Sequence, residues 1–384
     1  MIRQPDMFDA MCEAMSRFVR DKLVPLEAEV DETGVIPDSA LTEMREMGMA
    51  GLSIPAEFGG SGLTVEEKVR MAFVLGWTTP VFHRRYGPND GPAYGILHAG
   101  TEAQKNAYLP RLASGEWTGS FALTEPEAGS DAGSLRTTAL KDGNEFVLNG
   151  NKRFITNAPH ADIFMVMARS DPSARGASGV SAFLVEADSP GLHVAPADRK
   201  MGLNGNDTAD VTFSDCRIPA SAQIGGPGEG FKLAMRRLDI VRIEAAALAV
   251  GNARRLIQES LDYATGRQQF GQPISGFQLV QAMLADSEAQ AYAAETMVID
   301  AARRFDAGES VSTEAACCKL FATEMVGHVA DHAVQIQGGA GFMRASAVER
   351  FYRDVRVYRI YDGTNQIQKL VIARNLLKAA GGAA

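Results

Sequence analysis

Asp362 stands in the run Tyr361-Asp-Gly-Thr364. A lone carboxylate can take a proton from an acidic carbon, although Asp-Gly is also a common turn pair. The segment Phe121-Ala-Leu-Thr-Glu-Pro-Glu-Ala-Gly-Ser-Asp131 offers hydroxyls, small residues and backbone N–H groups, a surface that can hydrogen-bond the polar edge of a flat heterocycle. Arg153-Phe-Ile-Thr-Asn157 places a hydroxyl at a strand end, a rigid place from which to aim it. Arg267 is a planar bidentate donor of the kind a pyrophosphate rewards. The glycines of Gln335-Ile-Gln-Gly-Gly339 permit close backbone approach to a phosphate, but the run follows a helix, so it is not a dinucleotide fingerprint. His328 and His332 share a helix face. A zinc-protease helix carries Glu after the first His, whereas Val329 follows here and no third ligand is evident, so no metal site is expected. His83-Arg84-Arg85 and Asp90 sit among Pro80, Pro88, Gly91 and Pro92, which favours a solvated loop over an inward arginine that pairs with an anionic group or an Asp90 that serves as a second acid or base.

These groups need elements to hold them. The chain has 384 residues, more than one core usually serves. From residue 1 to about 117 the pattern is helical. Phe8, Met11, Cys12, Met15, Phe18 and Val19 repeat at three- and four-residue spacing; Asp38 is placed to cap the next helix, and Thr64 with Glu67 forms a capping-box signal. From 118 to 226 strand signals take over. Asn149-Gly150 predicts a tight type I′ turn between Glu145–Leu148 and Asn151–Thr156, and Ile163–Met167, Ser181–Val185 and Ala209–Phe213 read as strands. From 227 to 384 Ala-rich helical segments return, as in a bundle. The expectation is a mainly α fold with a central β-domain.

Composition narrows the function. The net charge is −9 with no long Lys/Arg run, which argues against nucleic acid. No stretch of eighteen apolar residues appears, so no membrane span is expected. The cysteines Cys12, Cys216, Cys317 and Cys318 form no C-x-x-C pair and suit a reducing, cytoplasmic setting.

Five segments resemble the acyl-CoA dehydrogenase family, in the family's order and across nearly the whole chain: Phe121–Asp131, Arg153–Asn157, Arg267–Gly271 with Phe277-Gln278, Gln335–Phe342, and Arg353–Ile367. The resemblance implies an N-terminal helical domain, a middle β-barrel or sandwich domain and a C-terminal four-helix bundle. It also implies bound FAD, α,β-dehydrogenation of an acyl-CoA to the trans-2-enoyl-CoA, and electrons passed to an electron-transfer flavoprotein. Such an enzyme serves fatty acid or amino acid catabolism, as in β-oxidation, and the family's usual assembly is a tetramer, a dimer of dimers. By the same resemblance Phe121, Leu123, Thr124, Gly129, Ser130, Phe154, Ile155, Thr156, Thr364 and Gln366 contact the flavin. Arg267, Phe270, Gln278, Gln335, Ile336, Gly338 and Gly339 reach a flavin held mainly by a neighbouring subunit. Ser130, Asp239, Val241, Arg242, Tyr361 and Gly363 line the substrate site.

Asp362 falls where the family places a glutamate base. Its side chain is shorter by roughly 1.5 Å of reach, while the reference acidities differ little. The family's other base position matches Val241, which cannot serve. The substitution leaves open altered chemistry on the same scaffold (an oxidase, a desulfinating lyase, a cyclic or dicarboxylic acyl-CoA dehydrogenase) or a catalytically weak acyl-CoA-binding flavoprotein.

Overall fold

The computed structural model describes residues 2–174 and 176–381. Seven helices come first: α1 (Pro5–Phe18), α2 (Glu27–Thr33), α3 (Asp38–Glu46), α4 (Val65–Leu75), α5 (Pro80–Tyr86), α6 (Asp90–Ala99) and α7 (Glu102–Ser114). Thr64 and Glu67 form the expected capping box at α4. Asp38 does not cap α3: Pro37 holds the N-cap position, and Asp38 is the first helical residue. Its charge still favours the positive end of the helix.

Eight strands follow: β1 (Gly119–Ala122), β2 (Thr138–Asp142), β3 (Glu145–Thr156), β4 (Ile163–Arg169), β5 (Val180–Glu186), β6 (Leu192–Val194), β7 (Thr208–Pro219) and β8 (Gln223–Ile224). They join in one sheet in the order β6-β7-β3-β2-β4-β5-β8, with β1 parallel to β4. β4 and β5 are buried along almost their whole length, which explains their unbroken apolar runs. The expected Asn149-Gly150 turn is not formed. Gly150 lies inside β3 at a bulge, with φ +147°, and a Cβ there would meet Thr137 Oγ1 at 2.5 Å. The hairpin turns earlier, between β2 and β3, where Gly143 takes φ +61°. An Asn-Gly pair signals positive φ, and a bulge uses that as readily as a turn does.

The helical bundle that follows is α8 (Gly230–Gly266), α9 (Gln278–Asp306), α10 (Ser312–Gln337), α11 (Ala347–Val355) and α12 (Asn365–Ala379), with a short hairpin of β9 (Gln268–Gln269) and β10 (Gln272–Pro273) after α8. The small residues Ala245, Ala246, Ala247 and Ala249 of α8 are buried and let α4 approach closely. At Gly251 a Cβ would stand 2.7 Å from Gly76 Cα and 2.6 Å from Phe73 O, so this crossing requires glycine on both sides. One apolar core joins α1–α5 to the bundle, a second lies within the sheet, and a third packs the sheet on α6, α7 and the start of α8. No helix of the described residues is long and apolar enough to cross a membrane.

Candidate active site

The segment between α11 and α12 carries Asp362. Asp362 and Gly363 both have positive φ, +55° and +85°. Aspartate tolerates this region better than most residues, and glycine adopts it freely. The strained pair is held from below. Lys319 of α10, a fully buried lysine, donates from Nζ to Gly363 O at 2.9 Å and to Asn365 Oδ1 at 2.8 Å. Gln368 donates from Nε2 to Gly363 O at 2.8 Å. The Thr364 hydroxyl accepts from Ile367 N–H and caps α12. Burial depresses the Lys319 ammonium to about 8, although the Asp362 charge pulls it the other way.

Burial raises the Asp362 carboxyl above the ordinary aspartate value; the cations Arg84, Arg237, Lys319 and Arg242 oppose that rise without cancelling it. The result is a carboxylate that is desolvated and ringed by positive charge. Arg242 donates to Asp239 at 2.9 Å, and both project from α8 into the same region. Burial raises Asp239 as well, and Arg242 counters it. Val241 lies between them and presents no base. Arg84 stacks its guanidinium 4.6 Å from the Tyr361 ring centre and donates to Thr156 Oγ1 at 3.2 Å and Asn206 Oδ1 at 3.1 Å. Through Arg84 the end of β3 is linked to the Asp362 segment.

A surface for a flat cofactor adjoins this cluster. Phe121 is at the end of β1, Leu123 and Thr124 follow it, and Phe154, Ile155 and Thr156 end β3. The two runs are tied by Arg153 N–H to Thr124 O at 2.8 Å and by the Ser120 hydroxyl to Thr156 O at 2.7 Å. A register shift between Lys152 and Ile155 puts Phe154 at φ +57° and turns its ring out, 59% exposed, while Ile155 points into the core. An aromatic residue in that backbone region is strained, and bulges that re-aim a side chain recur beside active sites. Gly129 and Ser130 are exposed, and open space lies over Gly129. Thr364 and Gln366 flank the Asp362 segment. An exposed aromatic ring, a strand-end hydroxyl and an open glycine loop suit an isoalloxazine ring and its polar edge.

The remaining predicted contacts are elsewhere. Arg267 follows the last turn of α8, thirty residues beyond Arg237 on one continuous helix, which separates them by about 45 Å. Phe270, in the β9–β10 turn, is 92% exposed; Gln278 begins α9; Gln335 and Ile336 end α10, with Gly338 and Gly339 in open space beyond it. Arg267 therefore cannot join Asp362 in one site of one chain. The sequence resemblance assigned this set to a neighbour's flavin.

The solvated loop expected at His83–Asp90 is a correction. Pro80 opens α5, Pro88 opens a 3₁₀ turn and Pro92 sits in the first turn of α6, all positions where a missing N–H costs nothing. His83 is packed so that burial lowers its ring to about 4, and its Nδ1 has no hydrogen-bond partner among the described residues. Asp90 accepts from Lys68 and Ser53, and Lys68 also pairs with Glu244 of α8. Burial pushes the Asp90 carboxyl up, but the Lys68 and Arg237 charges and the hydrogen bonds from Lys68 and Ser53 together hold it below the ordinary value.

Sequence reasoning missed Lys319, Arg237, Lys68 and the pair Lys152–Glu125. Lys152 and Glu125, almost fully buried and 2.7 Å apart, fasten the Thr124 loop to β3; Lys152 also donates to Leu123 O. A usable signal existed for Lys319: it is the one charged residue in the otherwise apolar and small-residue run Ala315–Thr323 of a bundle helix.

Three family models match consecutive parts of the chain: the acyl-CoA dehydrogenase N-terminal domain over residues 6–116, the middle domain over 120–216 and the C-terminal domain over 228–377. A probable acyl-CoA dehydrogenase of Bacillus subtilis, YngJ, is 42% identical over 95% of this chain and 97% of its own length. Acryloyl-CoA reductase (NADH) of Anaerotignum propionicum is 41% identical over 94% of this chain and 92% of its own. The solved butyryl-CoA dehydrogenase from Megasphaera elsdenii superposes with a TM-score of 0.93 at 34% identity, covering 98% of this chain and all of that one. On its fold, its sequence and the site just described, the chain belongs to the acyl-CoA dehydrogenase family and is an FAD-dependent oxidoreductase.

Proposed function

We propose that this enzyme converts an acyl-CoA thioester to its trans-2-enoyl-CoA, with Asp362 as the base. The observation that carries the reading is the desolvated Asp362 carboxylate, presented on a left-handed peptide that Lys319 and Gln368 clamp. The thioester carbonyl acidifies the α-carbon, and the α-proton moves to Asp362. FAD, when bound, supplies the acceptor for the β-hydrogen as hydride. Phe121, Leu123, Thr124, Gly129, Ser130, Phe154, Ile155, Thr156, Thr364 and Gln366 would hold it from one chain. Arg267, Phe270, Gln278, Gln335, Ile336, Gly338 and Gly339 would hold it from a second. Arg242 and Asp239, with Val241, Tyr361, Gly363 and Ser130, would line the thioester and CoA path. The proton taken by Asp362 stays in a pocket that tolerates either form, because burial favours the neutral acid and four cations favour the anion.

A cytoplasmic tetramer, a dimer of dimers, is part of the same reading. It is supported by four free thiols and by exposed apolar side chains on the bundle: Phe270, Leu279, Phe342, Leu370, Leu376 and Leu377. Burying such side chains against further copies is favourable. The electron acceptor we assign is an electron-transfer flavoprotein. A second reading, favoured by the relative named acryloyl-CoA reductase, runs the same site toward the saturated acyl-CoA.

The test is anaerobic mixing of the purified flavoprotein with a panel of straight, branched, cyclic and dicarboxylic acyl-CoAs. Loss of the oxidised flavin absorbance identifies a substrate. No bleaching by any of them, with enoyl-CoAs reoxidising chemically reduced enzyme, would transfer the assignment to the reductive direction. Neither reaction would sink both.

A further inference from the structure

The ion pair Lys152–Glu125 lies directly behind the loop assigned to the flavin, and its side chains are 0% and 4% exposed. Burying both charges gains little stability over an apolar pair of the same volume, so stability alone does not account for them. Lys152 is the last residue of β3 to pair with β7 before the bulge that turns Phe154 outward. Its Nζ donates to Glu125 Oε1 at 2.7 Å and to Leu123 O at 3.1 Å. Glu125 is held in turn by Arg136 N–H at 2.5 Å and Thr137 N–H at 2.9 Å. Three successive carbonyls of the loop are engaged in this way: Leu123 O by Lys152, Thr124 O by Arg153 N–H at 2.8 Å, and Glu125 O by Ala128 N–H at 3.2 Å. Glu125 N–H is used as well, donating to Ala128 O at 3.1 Å. Thr124 N–H differs: it donates to no protein group among the described residues, and Thr124 is only half-buried.

The Leu123 carbonyl and the Thr124 N–H are the two ends of one amide. A cation bonded to the oxygen draws electron density toward it and makes the N–H at the other end a stronger donor, an effect that a low dielectric enlarges. We propose that Lys152 tunes the flavin through this amide: it holds the Thr124 N–H in place and strengthens it as a donor, and so favours the reduced cofactor, the form richer in electrons, over the oxidised one. A donor fixed in advance toward developing negative charge costs no reorganisation when that charge arrives. Glu125 keeps the ammonium aimed at Leu123 O and is itself fixed by two backbone donors. The inference rests on the assignment of Leu123 and Thr124 to the flavin, and neither on Asp362 nor on the acyl group.

The test is a reductive titration of the FAD-loaded enzyme against a reference dye, with no substrate present. In Lys152→Met the two-electron potential is expected to fall by about 30 mV, which is a tenfold loss of preference for the reduced form. Lys152→Met combined with Glu125→Gln leaves no buried charge unpaired; it should show the same fall, and it stands in for the single variant if that does not fold. A tie that was only structural would lower thermal stability and leave the potential in place, so an unchanged potential in the variant that retains FAD overturns the proposal. The unaltered enzyme gives a second reading that needs no variant. Burial lowers the Lys152 ammonium to about 8, against the Glu125 charge. By reciprocity a tenfold coupling lifts it by about one unit on reduction, so extra proton uptake is expected between about pH 8 and 9. Its absence also overturns the proposal. Thr124→Ala separates this inference from the assignment beneath it. If that variant changes neither FAD affinity nor potential, the loop does not face the flavin and both fail. A shift in Thr124→Ala with none in the Lys152 variants overturns the role of Lys152 alone.

Discussion

Aspartate brings its carboxylate to the α-carbon with one methylene fewer than glutamate, so placement by the backbone matters more than intrinsic basicity. The structure meets that demand with a left-handed peptide at Asp362 and a desolvated pocket. Asp362→Asn keeps the shape and removes the base. Flavin reduction by the best acyl-CoA is expected to fall by about 10²- to 10⁴-fold in stopped-flow measurements, with the flavin still bound. A variant that reduces as fast as the parent would remove Asp362 from the chemistry. The raised acidity constant also fixes a direction for pH. The base acts only when ionised, so kcat/KM is lost as pH falls through a value above the ordinary aspartate range. That limb should disappear in Asp362→Asn. Asp362 was legible in the sequence because its neighbours Tyr361, Gly363 and Thr364 stand in a recognisable order. Arg84 was not legible in its true setting: prolines that open three short helical turns look, in sequence, like prolines that break a loop.

Between residue and fold stand the elements that hold the base, α10 and α12. Lys319 reaches from α10 to the Gly363 carbonyl, Asn365 answers both Lys319 and Glu324, and Gln368 of α12 returns to the same carbonyl. Two positive-φ residues in succession persist only where the surroundings over-determine them. Lys319→Met removes two donors and a positive charge. The expected outcome is a kcat lower by about 10- to 100-fold from misplacement of Asp362, together with an acid limb moved to higher pH, since the Lys319 charge helps keep Asp362 ionised. A purely structural lysine would leave the pH profile in place. Helix and strand types were readable from periodicity over most of the chain, as in α1, α8 and β4. What periodicity could not show was the bulge at Gly150 or the one that everts Phe154, because both depend on which strand lies alongside: β7 pairs with β3 on either side of each shift. The buried Lys152–Glu125 tie was hidden for the same reason, since twenty-seven residues separate its ends in sequence and only the sheet brings them together.

At the scale of the whole molecule, one buried carboxylate joins its three parts. Asp354 of α11 accepts from the Thr79 hydroxyl, ahead of α5, at 2.8 Å and from Leu203 N–H, ahead of β7, at 2.6 Å. Gly202 packs against it so closely that a Cβ would stand 2.7 Å from Oδ1. Burial raises this carboxyl from 3.8 to about 6, against hydrogen bonds from Leu203 and Thr79 and the nearby Arg353 charge. The folded chain thus binds the proton more tightly than the unfolded chain. The stability this contributes is complete below pH 3.8, the unfolded value, and is lost as pH rises through about 6, the folded one. Above that, an ionised carboxylate remains in the junction, at a cost of about 3 kcal/mol on the scale of the shift. Asp354→Asn abolishes the titration and can still meet both partners, its oxygen accepting from Leu203 N–H and its amide donating to the Thr79 oxygen. Measured by thermal unfolding across about pH 5 to 7, the variant should gain on the parent as pH rises, by a few degrees at this chain length. Parallel curves over that range would mean that Asp354 does not change ionisation there, and that the junction tolerates its charge through the Leu203 and Thr79 hydrogen bonds and the Arg353 charge.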